Sequence, residues 1–178
     1  MADADASRPG TGRDRARPGA ASDPGADAPG FELPLLLFGG FRALIDRLHA
    51  ELARQGHPGL RPAHGFAMQA IGAGGATASE LGRRLGVSKQ AAGKTADRLL
   101  ALGYAERAAD PADARRKVLR LTPHGIDALR RSAEVFEELR AEWARTLGAE
   151  RLRELESDLR TMAPVTGLRV DVAGWFGP

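Results

Sequence analysis

Apolar residues recur at spacings of three and four positions near both ends of the chain, as they do along one face of an α-helix. The first series predicts a helix that ends near Gly56 and Pro58. The second series predicts a long helix over residues 126–147, which Gly148 ends before a third helix begins. The apolar positions are Phe38, Phe41, Ile45, Leu48 and Leu52 in the first helix, Ile126, Leu129, Ala133, Phe136, Leu139, Trp143 and Leu147 in the second, and Leu152, Leu155, Leu159 and Met162 in the third.

These three terminal helices carry a wide apolar surface that must be covered. One helix at the N-terminus and two at the C-terminus can interlock between two copies of the chain, which indicates a symmetric dimer. The same pattern is compatible with a bundle formed within one chain. Periodicity alone leaves both arrangements open.

Between these ends, the sequence predicts two shorter helices joined by a tight turn. Thr77 and Glu80 form a T-x-x-E capping box, in which each side chain satisfies a backbone donor at the start of the first helix. Gly86 stands where the chain leaves that helix, a position that favours a left-handed residue. Ser88 is then placed to cap a second helix that extends to about Leu102. Two short helices in this arrangement form a helix-turn-helix.

A β-hairpin is predicted directly after the helix-turn-helix. Residues 105–108 and 117–121 read as short strands, and the segment between them is polar, basic and rich in turn-forming residues. Thr122 is placed to cap the long helix that starts near Pro123. A helix-turn-helix followed by a hairpin is a winged helix. The predicted fold is therefore mainly α (α+β), with the winged helix-turn-helix flanked by helices at both ends.

Basic charge is concentrated in the winged segment. The whole chain of 178 residues has a net charge of only +3. Residues 77–122, however, contain ten Lys or Arg against five Asp or Glu, whereas residues 124–164 contain seven against nine. A local excess of basic side chains on a helix-turn-helix indicates a nucleic-acid partner.

The second helix of the helix-turn-helix presents polar residues opposite its apolar face. Their chemistry suits a major groove, because Lys donates to guanine or phosphate, Gln pairs with an adenine edge and Gly lets the backbone approach closely. A Ser at the helix start can bind a phosphate, and an Arg at the hairpin tip can enter a minor groove. A solvated polar face is the alternative interpretation. The candidate DNA-binding residues are Ser88, Lys89, Gln90, Gly93, Lys94 and Arg98 in the helix, and Asp113, Arg115 and Arg116 at the tip.

Other classes of function find little support in the sequence. Cysteine is absent, which excludes disulfides and a CxxC-type zinc site and favours the cytoplasm, and the longest apolar stretch is too short to span a bilayer. The stretch GAGGATASE lacks the Lys-Ser or Lys-Thr of a phosphate loop, and the four histidines are scattered. His64 could line a ligand cavity with Phe66 and Met68, but core packing is the preferred interpretation. We therefore expect no enzyme, no cofactor, no metal and no membrane partner.

The winged segment resembles the core of the MarR (multiple antibiotic resistance regulator) family in the run SELGRRLGVSKQAAGKTADRLLALGYAER followed by DPADARRKVLRLTPHG. The resemblance is strong over residues 77–125, and the order of the flanking helices extends it over residues 31–163. It departs at the wing, where Ala114 stands between Asp113 and Arg115 in place of a second Arg. The resemblance implies a homodimer that binds a palindromic operator, often as a repressor. It also implies release of DNA when a small aromatic or phenolic effector binds between the dimer helices and the winged domain.

The expected protein is thus a sequence-specific transcriptional regulator that acts on double-stranded DNA as a homodimer. An architectural or protein-binding winged-helix module without an effector is the alternative.

The first thirty residues contain no aliphatic side chain larger than Ala after Met1, which predicts a disordered arm that is inert or touches DNA through Arg13, Arg15 and Arg17. The expected organisation is a disordered arm (1–30), a dimerisation helix (31–55), a winged helix-turn-helix DNA-binding domain (56–123), dimerisation helices (124–164) and a C-terminal tail (165–178).

Overall fold

The computed structural model describes residues 29–110 and 113–162, apart from the side chains of residues 113 and 114. Most of the predicted N-terminal arm and all of the C-terminal tail lie outside the described residues. The described residues divide into two units at Phe38 and Gly39, inside the first helix. The elements are α1 (Glu32–Arg54), α2 (Pro62–Ile71), α3 (Ala78–Leu85), α4 (Lys89–Ala101), β1 (Ala105–Asp110), β2 (Asp113–Leu121), α5 (Pro123–Leu147) and α6 (Ala149–Met162).

Six helices and one two-stranded antiparallel sheet make up the described part of the chain. This confirms the predicted mainly α fold with a winged helix-turn-helix. In the sheet, Ala105 lies opposite Leu121. Both strands continue further toward the hairpin tip than the predicted 105–108 and 117–121. The prediction was too short because backbone pairing between strands does not require apolar side chains.

The residues that the sequence predicts at the ends of the helices make the expected capping contacts. The Thr77 hydroxyl oxygen accepts a hydrogen bond from the Glu80 backbone N–H (3.2 Å), and the Glu80 carboxylate accepts one from the Thr77 N–H (2.8 Å). Gly86 ends α3 with a left-handed φ of 71°. The side chains of Ser88 and Thr122 cap α4 and α5. Local hydrogen bonding therefore fixes where these helices begin.

The helix-turn-helix and the elements around it enclose an apolar core. Leu81 of α3, Leu99 of α4 and Tyr104, which follows α4, are almost completely buried in it. Gly82 lets α3 approach the turn closely, since a Cβ at this position would lie only 3.0 Å from the Val87 carbonyl oxygen. The exposed face of α4 is thus held by a closely packed support.

Helix α1 is only partly buried. It begins earlier than the apolar series that predicted it, and Pro34 lies in its first turn, where a missing backbone N–H leaves the helix hydrogen bonds intact. Ile45, Leu48 and Leu52 are buried, whereas Phe41 is exposed. The apolar stripe read from the sequence therefore includes surface that the described chain does not cover.

A cluster of stacked rings and ion pairs lies at the start of α5. The His124 ring packs against the rings of His57 and Tyr104, with centroids 4.6 and 4.5 Å away. His57 Nε2 lies 2.9 Å from Asp127 Oδ2, and Arg131 Nε donates to the same oxygen at 2.7 Å. Hydrogen bonds from Arg131, from a second arginine and from His57 hold the pKa of Asp127 well below its usual range. The cluster joins the segment after α1, the end of α4 and the start of α5.

Candidate nucleic-acid interface

Helix α4 separates an apolar face from a polar one. Ala92, Ala96 and Leu99 are buried, which anchors the helix in the core. The side chains on the other face are polar or basic and reach solvent. The exposed candidates at this helix are Ser88, Lys89, Gln90, Lys94 and Arg98.

The first half of α4 leaves room for another molecule. Gly93 is half-buried, yet no atom lies within 4 Å of the point where its Cβ would stand. A backbone or a base edge can therefore approach the helix closely there. The hydroxyl oxygen of Ser88 accepts a hydrogen bond from the Ala91 N–H at 3.1 Å. Its hydroxyl proton remains able to donate to a phosphate.

On the wing, both predicted arginines are exposed, and two carboxylates hold one of them. Arg116 Nη2 donates to Glu80 Oε1 at 2.6 Å, and its Nη1 lies 3.5 Å from Asp110 Oδ2. Arg116 therefore links β2 to α3 and to β1, a role that the sequence analysis did not assign. Arg115 is exposed next to it on β2. The backbone of Asp113 begins β2, and its side chain lies outside the described part of the structure.

The two carboxylate oxygens of Glu80 make different contacts, one with the helix cap and the other with the wing. Oε2 accepts hydrogen bonds from the backbone N–H and the hydroxyl of Thr77 at 2.8 and 2.9 Å, while Oε1 accepts the one from Arg116. These hydrogen bonds, the one from the Thr77 backbone first, lower the pKa of Glu80 from 4.5 to about 2. The carboxylate is therefore charged throughout the neutral range.

A groove of about 750 Å³ lies between the start of α3, the turn that follows it and the wing. Its basic side chains are Arg83, Lys89 and Arg116. Arg83 is a candidate that the sequence analysis missed, although its place on the polar face of α3 was a usable signal. The neighbouring Arg84 has a structural contact, since its Nη1 donates to the Ala70 carbonyl oxygen.

His64 has a packing role in α2. The side chain is buried, and its Nδ1 accepts a hydrogen bond from the Arg61 backbone N–H at 3.2 Å. Burial, followed by the nearby charges of Arg61, Arg98 and His49, lowers its pKa.

In the described part of the chain, no three His, Asp or Glu side chains come together as a metal site would need. None of the described helices is both long and apolar enough to cross a membrane.

A helix-turn-helix joined to a two-stranded wing and flanked by long helices defines a winged-helix DNA-binding fold. Residues 59–116 match the family model described as the MarR family. The family model thus confirms the predicted resemblance over residues 59–116, which the structure folds as the helix-turn-helix and most of the wing.

Solved structures of such regulators match most of the chain. A transcriptional regulator from Thermotoga maritima is 26% identical, with a TM-score of 0.54, and the match covers 76% of this chain and 94% of that one. A MarR mutant from Escherichia coli complexed with operator DNA is 24% identical, with a TM-score of 0.59 and coverage of 75% and 94%. A MarR-family regulator from Rhodococcus sp. RHA1 is 16% identical, with a TM-score of 0.59 and coverage of 80% and 99%. No curated protein sequence matches the chain.

Proposed function

We propose that the protein is a sequence-specific transcriptional regulator that binds double-stranded DNA through α4 and the wing. The observation that carries this proposal is the exposed polar and basic face of α4, which is anchored by a buried face and lies in the most basic segment of the chain. Lys89, Gln90 and Lys94 would read or contact the major groove, and Gly93 would let the DNA come close. Ser88 and Arg98 would bind phosphates, and the wing residues Asp113, Arg115 and Arg116 would act at a flanking minor groove.

The regulator would act as a homodimer. Large apolar side chains are exposed near the start of α1 and along α5 and α6, for example Leu36 at 64% and Met162 at 71%. Exposed apolar surface of this extent supports an interface with a second copy of the chain. Two α4 helices about 34–36 Å apart would then enter successive major grooves of a palindromic operator. A MarR mutant of the same fold has been solved with operator DNA, which supports the binding of operator DNA by this fold.

The proposal also includes regulation by a ligand. By its resemblance to the MarR family, the protein would act mainly as a repressor in the cytoplasm. A small aromatic or phenolic effector, bound between the dimer helices and the winged domain, would release it from DNA. Such a ligand would act by changing the separation of the two winged domains rather than by touching the DNA contacts. The proposal gives the chain no catalytic role.

Selection of DNA from a random duplex pool tests sequence-specific binding. The 178-residue protein is incubated with the pool at moderate salt, and the bound sequences are read. We expect an enriched palindrome whose half-sites are about one helical turn apart. Binding without enrichment would favour an architectural protein, and absence of binding even at low salt would favour a protein-interaction module.

Two substitutions test the residue assignments on the selected operator. We expect Arg115→Ala to weaken binding by about 1–3 kcal/mol if the side chain enters a groove. Gln90→Ala should relax the preference at one base pair, because a base contact carries sequence information and a phosphate contact does not. Arg153→Ala is the matched control, since Arg153 is exposed on α6 in the acidic part of the chain. An unchanged affinity for Arg115→Ala would remove that residue from the site.

Analytical ultracentrifugation tests the dimer. Replacing Leu33 and Leu36 together by Ser removes two exposed apolar side chains from α1. We expect the dimer dissociation constant to rise at least about tenfold, because each buried Leu contributes more than one kcal/mol. Arg42→Ser, an exposed polar change on the same helix, is the control and should leave it unchanged. A wild-type protein that sediments as a monomer at micromolar concentration would refute the dimer.

A further inference from the structure

We propose that Glu80 is a positioning residue for the wing. Its contact with Arg116 holds the outer part of the hairpin against α3 and so sets where Arg115 meets DNA relative to α4. Glu80 itself makes no contact with DNA in this proposal. The inference rests on the proposed function, because positioning of the wing matters for binding only if the wing touches DNA.

The contact joins three elements through one guanidinium group. Arg116 lies on β2, its Nη2 binds Glu80 on α3, and its Nη1 faces Asp110 on β1. The other carboxylate oxygen of Glu80 is fixed at the same time by the Thr77 N–H and hydroxyl. The residue that fixes the first turn of α3 is therefore also the residue that holds the wing.

The position of Arg116 along the hairpin explains why such a contact is needed. Near its base, the wing is fixed by burial, since Val118 and Leu119 are buried and Ala76 exchanges backbone hydrogen bonds with Leu119 at 3.0 and 2.8 Å. Further out, the side chains of residues 115–117 are exposed. Apolar packing therefore ends before the tip. A polar contact is the means by which the outer part can be held.

Because Glu80 is charged, the proposal can be tested by whether removing that charge strengthens or weakens DNA binding. A carboxylate beside DNA repels phosphate, so electrostatics alone predicts tighter binding when its charge is removed. Loss of positioning predicts weaker binding. Gln is also accepted at the third position of a capping box, so Glu80→Gln keeps a group that can cap α3. The two explanations therefore give opposite results for one substitution that preserves the helix.

The test compares Glu80→Gln, Arg116→Lys and the double variant on the selected operator with varied flanks. Arg116→Lys keeps the positive charge and loses the two-pronged geometry of the guanidinium. We expect each single variant to bind roughly two- to fivefold more weakly and to discriminate less between flanking sequences. The double variant should be no weaker than the weaker single, because both break one contact. Glu106→Gln, which removes the same charge from an exposed position on β1, should bind as tightly as wild type or more tightly.

Hydrogen exchange on the protein without DNA gives a second, independent measurement. Backbone amides of residues 105–121 should exchange faster in Glu80→Gln than in wild type or Glu106→Gln. Wild-type affinity or tighter binding in Glu80→Gln, additive losses in the double variant, or unchanged exchange would each overturn the proposal. If the wild-type protein selects no duplex, the proposed function fails, and exchange still decides whether Glu80 holds the wing.

Discussion

The winged helix-turn-helix and the long helices bury their apolar side chains to different degrees. Between residues 62 and 121, no large apolar side chain of the described residues is exposed, and Leu81 and Leu99 are fully buried. Along α5 and α6, by contrast, Ile126 is 57% exposed and Met162 71%. The large apolar side chains of the winged segment are therefore covered within one chain, partly by α1 and α5, whereas the long helices also carry apolar surface that the described chain leaves uncovered. The proposed dimer accounts for that excess.

The largest effect should follow from a cavity in the winged segment. Leu99→Ala removes a fully buried side chain from α4, and we expect it to lower the free energy of unfolding by about 2–5 kcal/mol. Ile126→Ala on α5 is the matched change at a position that is exposed within one chain, and it should cost far less at a protein concentration low enough to dissociate the dimer. Urea denaturation at one fixed protein concentration measures both. Equal losses in the free energy of unfolding would mean that the difference in burial between the two regions does not affect how much each contributes to stability.

A smaller loss should follow at the point where α5 meets the winged segment. A Cβ at Gly125 would lie 2.1 Å from the carbonyl oxygen of Tyr104, so Gly125→Ala must displace backbone. We expect a loss of about 1–3 kcal/mol in the free energy of unfolding. Gly93→Ala is the control on α4, where nothing lies within 4 Å, and it should stabilise the helix by about 0.5–1 kcal/mol. Thermal unfolding of both variants measures the contrast, and a Gly125→Ala protein as stable as wild type would contradict it.

The smallest effect should be present at neutral pH and fade in acid. The pKa of Asp127 is lower in the folded protein than its ordinary value of 3.8, because arginines and His57 bind its carboxylate. A group with a depressed folded pKa stabilises the fold above its unfolded pKa, and this contribution is lost as the pH falls through the folded value. Asp127→Asn should therefore have a lower Tm than wild type at pH 7. The difference should shrink as the pH drops below about 4. A constant Tm difference from pH 7 to pH 2 would contradict this linkage.

Features set by neighbouring residues could be predicted from the sequence. The capping box of Thr77 and Glu80, the left-handed Gly86 and the cap at Ser88 depend on atoms a few residues apart, and all three were predicted correctly. The amphipathic face of α4 was also predictable, because helical periodicity decides which side chains are buried.

Features that depend on distant residues were not predictable. Glu80 and Arg116 are 36 positions apart, and His57 and Asp127 are 70 positions apart, so no local sequence pattern predicts either contact. The extension of both wing strands toward the tip was missed because pairing of backbones leaves no apolar signature.

The division of α4 into two faces also bears on how such a protein can diverge. Ala92, Ala96 and Leu99 hold the helix in the core, while Gln90 and Lys94 make no contribution to that packing. Under the proposed function, substitutions at the exposed positions alter which operator is bound at little cost in folding free energy. After gene duplication, two copies could therefore acquire different target genes through a few surface changes, without any compensating mutation in the interior.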